Sequence, residues 1–123
     1  MDRKKILLVD DEEAIRKMVR AVLGSELYEF AEAANGIAAQ AILEKQKFAL
    51  VISDVIMPDC DGIELVMAIR RKLPEIKIIV MSGGGRVRAG HYLDLARKLG
   101  ATRVFEKPFD TAELRQTVHD LLS

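Results

Sequence analysis

Four short apolar segments of the chain each run into polar residues that could contact a phosphate group or a cation. They are residues 6–9 before Asp10 and Asp11, residues 50–53 before Asp54, residues 78–81 before Ser82, and residues 104–106 before Lys107. If the segments are parallel strands, these polar residues lie together, because the carboxyl ends of parallel strands meet at one edge of a sheet and open α/β folds bind ligands there. The pattern therefore predicts one site that contains carboxylates, a hydroxyl and an ammonium group.

Residues 28–33 are a fifth, weaker strand candidate. A helical pattern of apolar residues follows each of the five predicted strands. Five strand–helix units predict an α/β fold with one parallel sheet and helices on both faces, because parallel strands need helical crossovers of one hand. Gly83, Gly84 and Gly85 follow Ser82, and we expect an atypical fourth helix after them. The predicted strands are residues 6–9, 28–33, 48–54, 77–82 and 102–107.

Length and charge narrow the class of protein. The 123 residues fit a single domain over residues 1–123, and we expect no output domain within them. The 19 basic and 19 acidic side chains cancel, which argues against a general affinity for nucleic acid or for anionic membranes. The apolar run after the basic start is too short for a signal peptide or a membrane span, so we expect a cytoplasmic protein. Cys60 is the only cysteine, which excludes an internal disulfide.

The three aspartates favour a divalent cation. An isolated Asp-Asp pair before a helix is as compatible with helix capping as with ligand binding. In the predicted fold, however, Asp54 lies close to Asp10 and Asp11, and like charges that close are unfavourable unless a cation intervenes. Carboxylate ligands with open positions for water suit Mg²⁺, for which Mn²⁺ could substitute.

Lys107 and Ser82 are weak signals on their own. A Lys-Pro dipeptide is commonly a turn with a solvated lysine, and serine is common where strands become loops. At the ends of neighbouring strands, however, the ammonium and the hydroxyl would point over the same crevice as the aspartates. Pro108 in the cis form would steer the lysine inward.

Taken together, these motifs resemble the receiver domain of two-component response regulators. The resemblance covers nearly the whole chain, and no single motif would suffice for it. It implies a doubly wound, flavodoxin-like fold with the strand order 2-1-3-4-5. The motifs that carry it are Asp10-Asp11, Asp54 followed by Met57-Pro58 and Asp61-Gly62, Ser82, and Lys107-Pro108-Phe109.

The resemblance also implies a role for each candidate residue. Asp54 would accept the phosphoryl group, and Ser82 and Lys107 would bind the phosphoryl oxygens. The expected metal ligands are Asp11 and Asp54 directly, Asp10 through a water molecule, and the backbone carbonyl of Ile56.

The implied function is a signalling switch. A sensor histidine kinase or a phosphotransfer protein would donate the phosphoryl group, and the domain would catalyse its own phosphorylation and slow dephosphorylation rather than turn over a separate substrate. Ser82 would then move and repack the surface of the fourth helix, fifth strand and fifth helix, which would control a downstream protein or a linked output domain. The family usually has an aromatic residue where this chain has Val104. Phe105 should point to the opposite face, so we expect the aromatic switch to be absent or altered.

Other functional classes fit the residues less well. A P-loop needs a lysine after its second glycine, whereas His91 follows Gly90 here. A dinucleotide site needs glycines after the first strand, where this chain has acidic residues. A phosphatase of the haloacid dehalogenase class needs an aspartate two positions after Asp54, where this chain has Ile56. The remaining alternative is a receiver-like interaction module that is not phosphorylated.

Overall fold

The computed structural model describes residues 3–54, 62–82, 94 and 97–123, and the strands within them form one five-stranded sheet. All neighbouring strands are parallel, and their order across the sheet is 2-1-3-4-5. The predicted α/β class and the flavodoxin-like strand order are therefore confirmed. The strands are β1 (Lys4–Val9), β2 (Tyr28–Ala33), β3 (Leu50–Asp54), β4 (Lys77–Ser82) and β5 (Arg103–Glu106).

Helices connect the strands and close the chain. Polar side chains accept hydrogen bonds from free backbone N–H groups at two of their N-termini: Asn35 from Ala38, and Asp110 from Ala112. The expected fourth helix and the triple glycine lie largely outside the described residues, although residues 97–99 are helical. In the described part of the chain, no helix has the length and apolar composition needed to cross a membrane. The helices are α1 (Glu13–Leu23), α2 (Gly36–Lys45), α3 (Gly62–Lys72) and the C-terminal helix (Thr111–Leu122).

The sheet separates two hydrophobic cores. Because successive strand residues point to opposite faces, Leu7 and Val9 of β1 pack in one core, and Ile6 and Leu8 pack in the other. Residues of α2 and α3 belong to the first core, and residues of α1 and the C-terminal helix belong to the second. Strands β1, β3 and β4 are thus covered on both sides, which explains their nearly continuous apolar sequences.

The strand boundaries differ from the sequence-based expectation at several ends. β1 starts at Lys4 rather than at residue 6, and its first residues pair with β2 through the backbone. β3 starts at Leu50 rather than at residue 48, and β5 covers Arg103–Glu106 rather than residues 102–107. Backbone pairing does not depend on side-chain polarity, so the apolar pattern locates the buried part of a strand better than its ends.

Hydrogen bonds from Arg70 link the end of α3 to the segments that lead into β4 and β5. Its guanidinium donates hydrogen bonds to the backbone carbonyls of Gly100 at 2.8 Å, Pro74 at 3.0 Å and Ile76 at 2.5 Å. Gly100 has a φ of +122°, and a Cβ atom there would lie 2.7 Å from Cγ of Arg70. Both the backbone conformation and this contact therefore favour glycine at position 100.

Candidate functional site

The carboxyl ends of the strands bring the candidate residues to one edge of the sheet. Asp54 ends β3, and Ser82 ends the neighbouring strand β4, one pair further along the register. Lys107 follows β5 and donates its backbone N–H to the Ser82 carbonyl at 2.7 Å. Asp10 directly follows β1 on the other side of β3. The backbone carbonyl of Ile56, expected as a metal ligand, lies outside the described residues.

One ammonium group links two of the carboxylates. Nζ of Lys107 lies 3.1 Å from Oδ2 of Asp10 and 3.5 Å from Oδ2 of Asp54, and these aspartates are only 2% and 6% exposed. Burial lowers the pKa of Lys107, but the negative charges of Asp54 and Asp10 outweigh this and raise the pKa above its usual range. Lys107 is therefore a cation at neutral pH. The peptide bond between Lys107 and Pro108 is cis, as considered from the sequence.

A group of carboxylates lies beside this ion-pair network. Oxygens of Asp10, Asp11 and Glu12 lie within 4.8 Å of one another; Asp10 is buried, and the other two are exposed. Carboxylate oxygens that are open to water on one side fit a hard cation such as Mg²⁺. Asp54 is linked to this group because its carboxylate and the carboxylate of Asp10 both form ion pairs with Lys107. Glu12 was not among the ligands expected from the sequence, where its only signal is its place directly after Asp11.

Ser82 contributes a buried hydroxyl group at the end of β4. The residue is fully buried, and its Oγ has no hydrogen-bond partner among the described residues. A buried polar atom without a partner costs about 1–3 kcal/mol, so such atoms are rare and call for an explanation. At the end of β4, beside Asp54 and Lys107, the hydroxyl is suited to a hydrogen bond with a bound ligand.

The sequence analysis did not single out two arginines of α1, Arg16 and Arg20, which lie behind the acidic loop. This loop consists of residues 10–12, directly after β1. Arg16 donates from Nε to Oε1 of Glu32 at 2.8 Å, and from Nη1 to the backbone carbonyl of Asp10 at 2.5 Å. Nη1 of Arg20 donates to the other Glu32 oxygen. Burial raises the pKa of Glu32, but the hydrogen bonds from Arg16 and Arg20 outweigh this and hold the pKa below its usual range. These contacts join α1 to β2 only in the folded chain, so no local sequence pattern marks them.

Val104 and Phe105, the residues considered for a switch, pack in different cores. Val104 lies against the core under α2 and α3. Phe105 is buried in the core under α1 and the C-terminal helix, with its ring centroid 6.3 Å from that of Phe109. Their opposite orientations follow from the alternation of side chains along β5. Phe105 therefore does not occupy the space on the Val104 side of the sheet.

Comparison with known proteins finds relatives that match nearly the whole chain. A family model described as response regulator receiver domain matches residues 6–119. Sporulation initiation phosphotransferase F of Bacillus subtilis (strain 168) is 35% identical over 122 residues, which cover 99% of this chain and 96% of that protein. Sensor kinase CckA of Brucella abortus (strain 2308) is 36% identical over 119 residues, which cover 95% of this chain but 12% of the kinase.

Solved structures agree with these sequence matches. The crystal structure of a response regulator receiver domain protein (CheY-like) from Methanospirillum hungatei JF-1 superimposes with a TM-score of 0.86 at 28% sequence identity. The superposition covers 98% of this chain and 94% of that one. Among its relatives, the chain thus corresponds to almost an entire protein in one case and to a small part of a kinase in another.

Proposed function

The chain belongs to the response regulator receiver domain family of two-component systems, and we propose that it is a switch activated by phosphorylation of Asp54. The phosphoryl group would come from a phosphohistidine of a sensor histidine kinase or a phosphotransfer protein. The observation that supports this best is the ammonium of Lys107, which contacts the buried carboxylates of Asp10 and Asp54. The site thereby combines a nucleophile with a cation that can stabilise phosphoryl oxygens.

The proposed transfer forms one bond and breaks another. A carboxylate oxygen of Asp54 attacks the phosphorus and forms an acyl phosphate, while the P–N bond to the donor histidine breaks. The electron pair of that bond stays on the imidazole, which leaves as a neutral ring when its other nitrogen carries a proton. Charge spreads over the phosphoryl oxygens in a loose transition state. The ammonium of Lys107 and the hydroxyl of Ser82 would stabilise that charge.

The acidic residues fit Mg²⁺, with Mn²⁺ as a possible substitute. The proposed ligands are Asp11 and Asp54 directly, Asp10 through water, and the backbone carbonyl of residue 56. When bound, the ion would supply further positive charge to the phosphoryl oxygens. Asp10, Asp11 and Asp54 are three carboxylates and Lys107 is one ammonium, so these four described residues together have an excess of negative charge that favours a divalent cation.

We expect the acyl phosphate to act on the rest of the domain through Ser82. A hydrogen bond from its hydroxyl to a phosphoryl oxygen would satisfy the buried Oγ and displace the end of β4. The backbone of Ser82 bonds to Lys107 at the end of β5, so the displacement would reach the surface formed by the fourth helix, β5 and the C-terminal helix. That surface would control a downstream protein or a linked output domain.

Labelling with a small phosphoryl donor tests the proposed function. We expect the purified protein to gain a single phosphoryl group from acetyl phosphate in the presence of Mg²⁺, and none after the ion is removed with EDTA. Intact-mass spectrometry measures the gain, and hydroxylamine should reverse it because it cleaves acyl phosphates. A protein that stays unlabelled in Mg²⁺ would instead favour an interaction module that works without phosphorylation.

Replacing Lys107 with methionine should slow this labelling. Methionine fills much of the same space but lacks the ammonium group. We therefore expect the initial rate to fall by about 10²–10³-fold, the usual cost of removing one electrostatic group at a transition state. Lys17→Met is the matched control, because the Lys17 ammonium is exposed on α1 beside Glu13. If the two variants are labelled at the same rate, Lys107 does not have the proposed role.

A further inference from the structure

We infer that Arg16 is a positioning residue, which strengthens divalent-cation binding by holding the backbone of the acidic loop. This inference rests on the proposed function, because it concerns the same site. Arg16 lies on α1, and its guanidinium bridges the loop after β1 and the edge strand β2. It thereby connects the loop that carries the candidate ligands to the sheet.

The Asp10 backbone is held at two points. Its N–H donates to the Ala33 carbonyl at 3.1 Å, and its carbonyl accepts a hydrogen bond from Arg16 at 2.5 Å. Because a peptide unit is planar, the position of this carbonyl also sets the direction in which the chain enters Asp11. Within the described residues, no hydrogen bond or ion pair fixes the Asp11 side chain, so the placement of its carboxylate depends on this backbone.

An ion pair with Glu32 holds the side chain of Arg16 in place. The two side chains are 15% and 26% exposed, so water weakens their ion pair less than it weakens an ordinary surface pair. Arg20 binds the second oxygen of Glu32, and its guanidinium lies 5.7 Å from the centroid of the Phe30 ring. The two arginines therefore carry the same charge and share one carboxylate. Of the two, Arg16 alone donates to the Asp10 carbonyl in the described structure.

Charge and position predict opposite effects of removing Arg16. A positive charge near the acidic loop repels Mg²⁺, so loss of the charge alone would strengthen binding. Loss of the hydrogen bond to Asp10 would instead allow the peptide between Asp10 and Asp11 to rotate, which would weaken binding. Groups that orient metal ligands typically contribute about 10- to 100-fold in affinity. The sign of the change therefore separates the two explanations.

Isothermal titration of the full chain with Mg²⁺ alone tests the inference. We expect Arg16→Gln to weaken Mg²⁺ binding by about tenfold, whereas Arg20→Gln should bind the ion as the wild type does or slightly more tightly. Arg16→Lys should also weaken binding, because lysine keeps the charge but lacks the planar fork that reaches both acceptors. Each glutamine variant loses a bond to Glu32, so their urea midpoints control for a general loss of stability.

The measured Mg²⁺ affinities distinguish a failure of this inference from a failure of the proposed function. If Arg16→Gln binds Mg²⁺ as tightly as Arg20→Gln does, the inference is wrong although the proposed function stands. If the wild-type protein binds no Mg²⁺, both fail. If Arg16→Gln does not fold, Arg16→Lys is compared with the wild-type protein, which has the same charge; equal Mg²⁺ affinity of these two would show that the inference is wrong.

Discussion

Replacing Asp54 with asparagine should abolish labelling by acetyl phosphate and by a phosphorylated histidine kinase. Asparagine keeps the size of this buried side chain, but its amide is not a nucleophile that can form an acyl phosphate. Lys107 retains Asp10 as an ion-pair partner at 3.1 Å, so we expect the variant to fold. Intact-mass spectrometry should detect no phosphoryl group above background after incubation in Mg²⁺.

Asp120→Asn is the matched control for this experiment. Asp120 is exposed on the C-terminal helix, where it accepts a hydrogen bond from Gln116. The same change of atoms there should leave labelling at the level of the wild type. If Asp54→Asn is labelled as strongly as Asp120→Asn, a different residue accepts the phosphoryl group and the role proposed for Asp54 is wrong.

Replacing Arg70 with methionine should lower the free energy of unfolding by about 3 kcal/mol. Methionine keeps an apolar stem beside Gly100, but the carbonyls of Gly100, Pro74 and Ile76 lose their charged donor. Each hydrogen bond to a charged group contributes about 1.5–3 kcal/mol, and water can replace part of this at the exposed carbonyls. The expected loss is large, because a domain of this kind typically has a total stability of about 5–15 kcal/mol.

Urea denaturation followed by circular dichroism measures this loss. Arg71→Met serves as the control, because Arg71 is the exposed next residue on α3 and should change the free energy of unfolding by less than about 0.5 kcal/mol. Equal midpoints for the two variants would mean that the hydrogen bonds of Arg70 do not stabilise the fold.

The carboxyl ends of β3 and β4 could be predicted because the run of apolar side chains ends there in a polar residue, although that residue is itself buried. β3 and β4 are buried along nearly their whole length, and the polar residues Asp54 and Ser82 end them. The order of the strands depended on the family resemblance, since the apolar pattern does not specify which strands are neighbours. The roles of Asp54, Ser82 and Lys107 likewise came from the resemblance and stay predictions, although the structure brings these residues to one edge.

Long-range polar contacts were not predictable in this way. In the sequence, Arg16 and Arg70 are ordinary charged positions of helices, and such positions are usually solvated. Their partners Glu32 and Gly100 lie 16 and 30 positions further along the chain. No local spacing relates residues that far apart, so only the folded arrangement of α1, α3 and the sheet identifies these pairs.

Lys107 and Asp10 are 97 positions apart in the chain, yet their side chains form an ion pair at 3.1 Å. A partly synthesised chain that lacks β5 and Lys107 already contains both aspartates but lacks the ammonium group that they share in the complete fold. The ammonium can therefore reach these carboxylates only after β5 has been synthesised and has joined the sheet.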